Sequence, residues 1–201
     1  MDTLNCVCVC AGWGRATEIQ CACGSFWACL TGLPRNTPEG LASYCDVCQA
    51  FLRKITRPDL LDPYGGTEVI PAYPRKTVLR TGAARLRCHR LSATGLYRWT
   101  AGCCNAPIGN TCPGFPWFGV FQSAYRAADP DNLTRLGPIP SRIMGKFATG
   151  SPPFKIAHNI GPRDVLVVLP FVLKGWITGK HRHSPFFQED GRTPIASPAL
   201  L

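Results

Sequence analysis

Acidic residues are scarce in this chain, and so are long apolar runs. Asp and Glu number 12 in 201 residues against 22 Lys and Arg, and charged residues make up only 17%. The longest apolar stretch, residues 165–177 (VLVVLPFVLKGWI), is broken by Pro170 and Lys174. It falls short of the ~20 apolar residues that a spanning helix needs, so we expect a buried strand or docking segment and no membrane association. Residues 1–15 have no basic start and no unbroken apolar run, so no secretory signal is read there. There is no P-loop, GxGxxG, GxSxG or HExxH, which leaves those enzyme classes without a motif. The expectation is a cytoplasmic protein.

What is abundant is just as informative. A hydrophobic content of 45% is enough for a real core. With 19 Pro and 20 Gly, both above ordinary usage, a helical bundle is disfavoured and short strands joined by turns are expected. The 12 cysteines stand out most. Without an export signal a disulfide framework loses its support, and thiolates on a metal become the leading explanation. The net charge of +10 is spread evenly along the chain, and tetrathiolate sites would lower it. The basic residues form no dense cluster interleaved with aromatics, which argues against a nucleic-acid partner.

The chain divides on this reading into a leader (1–17), a mainly β domain (18–128) and an extension (129–201) that is partly helical and ends in a Pro-rich tail. In the leader, Cys6, Cys8 and Cys10 alternate with valines. Residues 18–32 read as two strands around a turn at Gly24, and 34–40 as a loop. Residues 42–54 open extended and turn helical at Asp46, which sets Cys45 and Cys48 at the positive end of a helix dipole. Strands are expected over 67–70, 76–80, 85–91, 96–101 and 116–123. Beyond 129, helical stretches are expected around 132–136, 140–146 and 163–179, the last kinked near Pro170. Residues 183–201 are expected on the surface.

Three cysteine groups carry the chemistry: Cys21-x-Cys23-Gly24, Cys45-x-x-Cys48 and Cys103-Cys104. A tetrahedral zinc site takes two ligands from each of two tight turns, and C-x-C and C-x-x-C spacings suit it. The adjacent pair Cys103-Cys104 suits it less well, so one or both bind, or each faces a different site. Cys45 and Cys48 are metal ligands or a redox pair, although no βαβ pattern surrounds them. Cys29, Cys88 and Cys112 read as small buried hydrophobes. His89 and Cys88, adjacent on a strand, point to opposite faces and form no dyad.

The order C-x-C-G, then Y-C-x-x-C, then Cys-Asn-Ala-Pro-Ile resembles the glutathione-dependent formaldehyde-activating enzyme and centromere protein V (GFA/CENP-V) family. The resemblance covers roughly residues 19–123 and suggests a bacterial branch with a C-terminal extension. It implies a zinc-bearing β-tent fold, with a structural zinc held by Cys21, Cys23, Cys103 and Cys104. Here Ala101 stands where the family has the first cysteine of its later pair, so Cys103 substitutes from the neighbouring position. Asn105 replaces the family's glycine, and Asn tolerates the left-handed conformation.

The resemblance also places a catalytic zinc on three thiolates, of which this chain keeps Cys45 and Cys48, with Ser43 in the first place. Serine is a poor zinc ligand. A second ion would therefore recruit Cys103, Cys29 or Cys88, or else Cys45 and Cys48 would complete one site with Cys23 or Cys104. The implied activity is carbon–sulfur lyase chemistry on a small anionic thiol adduct, such as a glutathione conjugate. Arg85, Arg87, Arg90 and Arg98 are candidates for holding its carboxylates. Two rivals remain: a non-catalytic zinc module with a protein or nucleic-acid partner, and a thiol oxidoreductase working through Cys45 and Cys48.

Overall fold

A computed structural model of the protein describes residues 16–33 and 40–201. The leader cysteines Cys6, Cys8 and Cys10 and nearly all of the 34–40 loop lie outside the described residues. Within them the chain is mainly β. In chain order the elements are β1 (Ala16–Gln20), β2 (Trp27–Thr31), β3 (Leu41–Ser43), α1 (Asp46–Lys54), β4 (Thr67–Ala72), β5 (Thr77–Thr81), β6 (Leu86–Arg90) and β7 (Tyr97–Ala101). There follow β8 (Ala106–Thr111), β9 (Phe118–Phe121), α2 (Gln122–Ala128), α3 (Asp131–Leu136), β10 (Ser141–Ile143), α4 (Pro162–Ile177) and β11 (Pro198–Leu200). No helix among the described residues is long and apolar enough to cross a membrane.

Two sheets result. β1, β2 and β5 form an antiparallel three-stranded sheet, and eight strands form a second in the order β10-β3-β4-β9-β8-β7-β6-β11. Its interior is antiparallel, while β10 on β3 and β11 on β6 are parallel pairs at the two ends. Residues beyond 129 thus supply both outer strands of the sheet that the preceding residues build. The core runs between the sheets around Trp99, which is fully buried and donates from Nε1 to Thr111 Oγ1 at 2.8 Å.

The chain departs from its sequence-based reading in three places. Residues 140–146, expected to be helical, contain β10: pairing with β3 satisfies the backbone there, and Tyr44 N–H donates to the Ile143 carbonyl at 3.1 Å. Tertiary pairing overrides the local Pro-Ser helix signal. Residues 106–111 (APIGNT), for which the sequence reading names no element, form β8, buried throughout between β7 and β9. Finally, the tail is not all surface. Phe186 and Phe187 are buried in the core, Phe186 against Phe118 and Trp99 with ring centroids at 4.5 and 5.1 Å, and Phe187 against Tyr97 and Trp99 at 5.5 and 6.4 Å, because burying two aromatic rings outweighs the polar character of the segment that carries them.

Candidate metal centre

Two tight turns meet at one end of the core. The first follows β1. Cys21 N–H donates to the Phe26 carbonyl at 3.1 Å, Gly24 N–H donates to the Cys21 carbonyl at 3.0 Å, and Gly24 turns the chain with φ 76°. The second follows β7. Gly102 N–H donates to the Arg85 carbonyl at 2.8 Å, Cys104 N–H to the Ala101 carbonyl at 3.2 Å, and Asn105 takes φ 54°. Asn therefore occupies the left-handed position, as its side chain allows.

These turns bring Cys21, Cys23, Cys103 and Cys104 together, with all four sulfurs within 4.8 Å of one another. Cys21 Sγ lies 3.6 Å from Cys23 Sγ and 3.7 Å from Cys103 Sγ. Cys23 and Cys103 are 3.3 Å apart, and Cys103 and Cys104 3.9 Å. Four sulfurs at about 2.3 Å from a tetrahedral ion would stand about 3.8 Å apart. The spacing thus matches a four-thiolate cage, and this cluster could hold a metal ion.

Its surroundings suit a thiolate set. Phe26 N–H donates to Cys21 Sγ at 3.2 Å, and Cys23 Sγ lies 3.5 Å from Ser25 Oγ. Hydrogen bonding to Ser25, then to the neighbouring thiols, lowers Cys23 to about 6. Burial raises Cys21, and burial and then the neighbouring thiols push Cys103 up to about 12. A cation entering the cage would displace the protons of the raised thiols. Arginines flank the cage. Arg57 is held charged by Asp59 first and then Cys104, and the Arg87 side chain lies against Gly102.

Cys45 and Cys48 lie outside this cluster. Cys45 caps α1 in the role usually taken by serine or threonine, its Sγ accepting from Cys48 N–H at 3.2 Å. Ser43, buried, places Oγ 3.4 Å from Cys45 N and 3.9 Å from Cys48 Sγ. Hydrogen bonding to Cys48, then to Ser43, lowers Cys45 to about 6, whereas the Cys45 hydrogen bond and burial drive Cys48 well up. The helix is pinned from below. Gln49 Nε2 donates to the carbonyls of Tyr44 at 2.8 Å and Phe147 at 3.0 Å.

The four hairpin arginines separate sharply. Arg85 and Arg87 are exposed, and Arg90 is half-buried over the Tyr97 ring. Arg98 is only 4% exposed. Its guanidinium stands 5.0 Å from the Phe51 ring centroid, Nη2 approaches Cys48 Sγ at 4.0 Å, and Nη1 has no partner. No carboxylate among the described residues pairs with it. A buried cation without an anion is costly, so the thiolate charge at Cys45 is its natural complement.

His89 lies on the same side, with its ring 6.3 Å from that of Phe51 and Nε2 2.9 Å from Thr100 Oγ1. Burial lowers its pKa, and Nδ1 has no partner. Neighbouring Cys88 points the other way into the core, where burial pushes it up to about 12. Cys29 is also buried, but Cys112 is exposed rather than buried as expected, because β8 ends at Thr111 and the chain turns out. The burial of Arg98 has no signal of its own in the sequence, where four arginines on one hairpin look alike.

The family of unknown function DUF6151 matches residues 14–197. Among curated proteins none matches the chain.

Proposed function

The chain belongs to the DUF6151 family, and we propose that it is a zinc protein in which Cys21, Cys23, Cys103 and Cys104 hold a structural ion. On this proposal, Cys45 and Cys48 carry carbon–sulfur chemistry on a small anionic thiol. Zinc is favoured by the donor chemistry: four soft thiolates at tetrahedral spacing select it over harder cations. With four protein ligands no position is left open, so the ion would supply folding energy by tying the Cys21 turn to the Cys103 turn.

The reaction is assigned to the second thiol site, and the observation that carries it is the grouping of Ser43, Cys45 and Cys48 at the start of α1 with the buried, carboxylate-free guanidinium of Arg98, whose Nη2 lies 4.0 Å from Cys48 Sγ. Cys45 is ionised at neutral pH and acts as base. It takes the proton of the incoming thiol, and the thiolate sulfur forms a bond to the carbonyl carbon of an aldehyde. The carbonyl electron pair moves to oxygen, which receives the proton back from Cys45. Thiol and aldehyde thereby give a hydroxyalkyl thioether with no oxidant or reductant, and the reverse breaks the carbon–sulfur bond. Arg98 stabilises the negative charge as it passes between sulfur atoms.

Metal content by mass spectrometry, with adduct formation from glutathione and formaldehyde followed by NMR, tests both halves. The expected result is one zinc per chain in wild type and in Cys45→Ser/Cys48→Ser, with catalysis of adduct formation lost only in the variant. Wild-type protein that forms adduct no faster than buffer would overturn the catalytic half.

A second reading rests on the same pair. Opposite pKa shifts on two thiols at a helix start also suit thiol–disulfide exchange, in which Cys45 attacks a disulfide and Cys48 resolves the mixed disulfide. Loss of two hydrogen atoms' mass from wild type after exposure to oxidised glutathione, which is reduced to two thiols, prevented by either Cys→Ser change, would favour it.

A further inference from the structure

Helix α4 is built from the most apolar stretch of the chain, yet only Phe171, Val172 and Gly175 of its 16 residues are buried. Of the 12 exposed large apolar side chains among the described residues, seven lie between Ile160 and Ile177, led by Ile177 at 84% and Leu166 at 67% exposed. Isolated exposed apolar residues need no explanation, but one element holding half of them does. An apolar cavity of about 370 Å³ also opens beneath the helix, between it and Leu41, Phe115, Trp117 and Ile143. The helix is anchored by Tyr73 stacking on Phe171 at 4.1 Å and by Trp176, whose ring meets Phe115 edge-on at 5.4 Å and whose Nε1 donates to the Gly114 carbonyl at 3.4 Å, while Leu166, Leu173 and Ile177 stay exposed.

Basic residues outnumber acids around α4, although Glu189 and Asp190 share a pocket with Arg182. The helix's single acid, Asp164, is tied down: its carboxylate accepts from Ser141 Oγ and, at 2.9 Å, from the Gly161 N–H. Arg163 and Lys174 are the helix's other charges. Past its C-terminus the chain returns against the turn before β5. Arg75 N–H donates to the Lys180 carbonyl at 3.2 Å, and the Arg75 guanidinium lies beside Gly179. Lys174, Lys180, Arg182 and Arg75 therefore gather at the Trp176 end, and none of the four forms an ion pair among the described residues. Burial first, then the nearby Lys76, Arg75 and Lys174, lowers the Lys180 ammonium.

We infer that α4 is a membrane-surface helix that lies in the interface of an acidic lipid leaflet, with Leu166, Leu173 and Ile177 entering the acyl boundary and the basic cluster meeting headgroup phosphates. A surface helix with an exposed apolar face and basic flanks has this binding mode, and its affinity combines buried apolar area with attraction to anionic lipid. Charge complementarity decides against a second copy as the occupant. Antiparallel pairing of two α4 helices would set Arg163 against the partner's basic end, and parallel pairing would set the two basic ends together. The expectation of no membrane association rests on span length alone, which says nothing about a helix that lies flat.

The test is co-sedimentation of the full chain with vesicles of phosphatidylcholine alone or with about 30% phosphatidylglycerol. Wild type should partition at least about tenfold more strongly onto the acidic vesicles and be released by salt. Leu166→Glu/Ile177→Glu should abolish binding, and Lys174→Ala should weaken it about fivefold. Both variants substitute exposed positions; unchanged circular dichroism and metal content confirm that they are folded. Equal partitioning onto both vesicle types, or none, overturns the inference. So does a wild-type dimer in light scattering that Leu166→Glu dissociates, since α4 would then meet a second copy.

Discussion

Cys103 Sγ and Cys104 Sγ lie 3.9 Å apart although the residues are neighbours in the chain. On a strand their side chains would point to opposite faces. They converge because β7 ends at Ala101 and the next residues form a tight turn that closes with Asn105 in the left-handed region. Both residues therefore serve one cage. Cys103→Ser and Cys104→Ser should each lower metal content from about one ion per chain towards zero. Cys88→Ala, at a core thiol, should leave it unchanged. Elemental analysis of purified protein checks all three.

Gly82 supports the same cage from behind. It has φ 70°, and a Cβ there would stand 2.2 Å from the Ser25 carbonyl oxygen, in the turn that carries Cys21 and Cys23. Gly82→Ala must move backbone rather than a flexible side chain. We expect it to cost at least about 1–2 kcal/mol in thermal or chemical unfolding. It should also weaken retention of any metal bound in the cage against a chelator, which a change confined to the β5–β6 connection would not do.

The pH dependence of Cys45 follows from its depressed pKa of about 6. Its alkylation by iodoacetamide should rise through a midpoint near that value, while buried Cys88 stays unreactive. A folded pKa below the ordinary thiol value of 9.0 also makes ionised Cys45 stabilising. That contribution is complete above the ordinary value and is lost as pH falls through about 6. Denaturation midpoints of wild type and Cys45→Ser should therefore converge as pH falls through that window.

Arg98 gives a prediction that separates structure from chemistry. Removing one partner of a buried charge pair leaves the other charge uncompensated and is destabilising. Arg98→Met should accordingly lower the unfolding free energy at neutral pH, with the loss shrinking as Cys45 is protonated at lower pH. It should also shift the Cys45 alkylation midpoint upward, because the guanidinium's field favours the thiolate. An unshifted midpoint would leave Arg98 with a packing role against Phe51 only.

Much of the cage is legible in the amino-acid sequence. The C-x-C-G spacing points to Cys21 and Cys23, and Asn105 is a residue type that tolerates the left-handed turn. The choice between Cys103 and Cys104 is not legible, because it depends on where β7 stops. Nor can spacing tell whether Cys45 and Cys48 join the cage: the separation arises from α1 packing under Gln49 contacts made with Phe147, 98 residues away. Residues 46–54 are recognisable as helix because their signals are local. Residues 141–143 carry no strand signal of their own, since their strand character comes wholly from β3. β8 is equally hidden, because burial between two neighbours overrides its Pro, Gly and Asn.

The parallel pairs at the two ends of the larger sheet have a consequence for synthesis. Residues 16–121 emerge from the ribosome with the backbone donors and acceptors of β3 and β6 unpaired on their outer sides. β10 reaches β3 only after about 100 intervening residues, and β11 reaches β6 later still. Bare strand edges template sticking between nascent chains, and a metal-loaded turn at Cys21 and Cys103 could form well before either edge is covered. The nascent chain would then hold its ion while it is still prone to aggregate. Ribosome-bound fragments ending near residue 140 should therefore depend on a chaperone more than the released chain does.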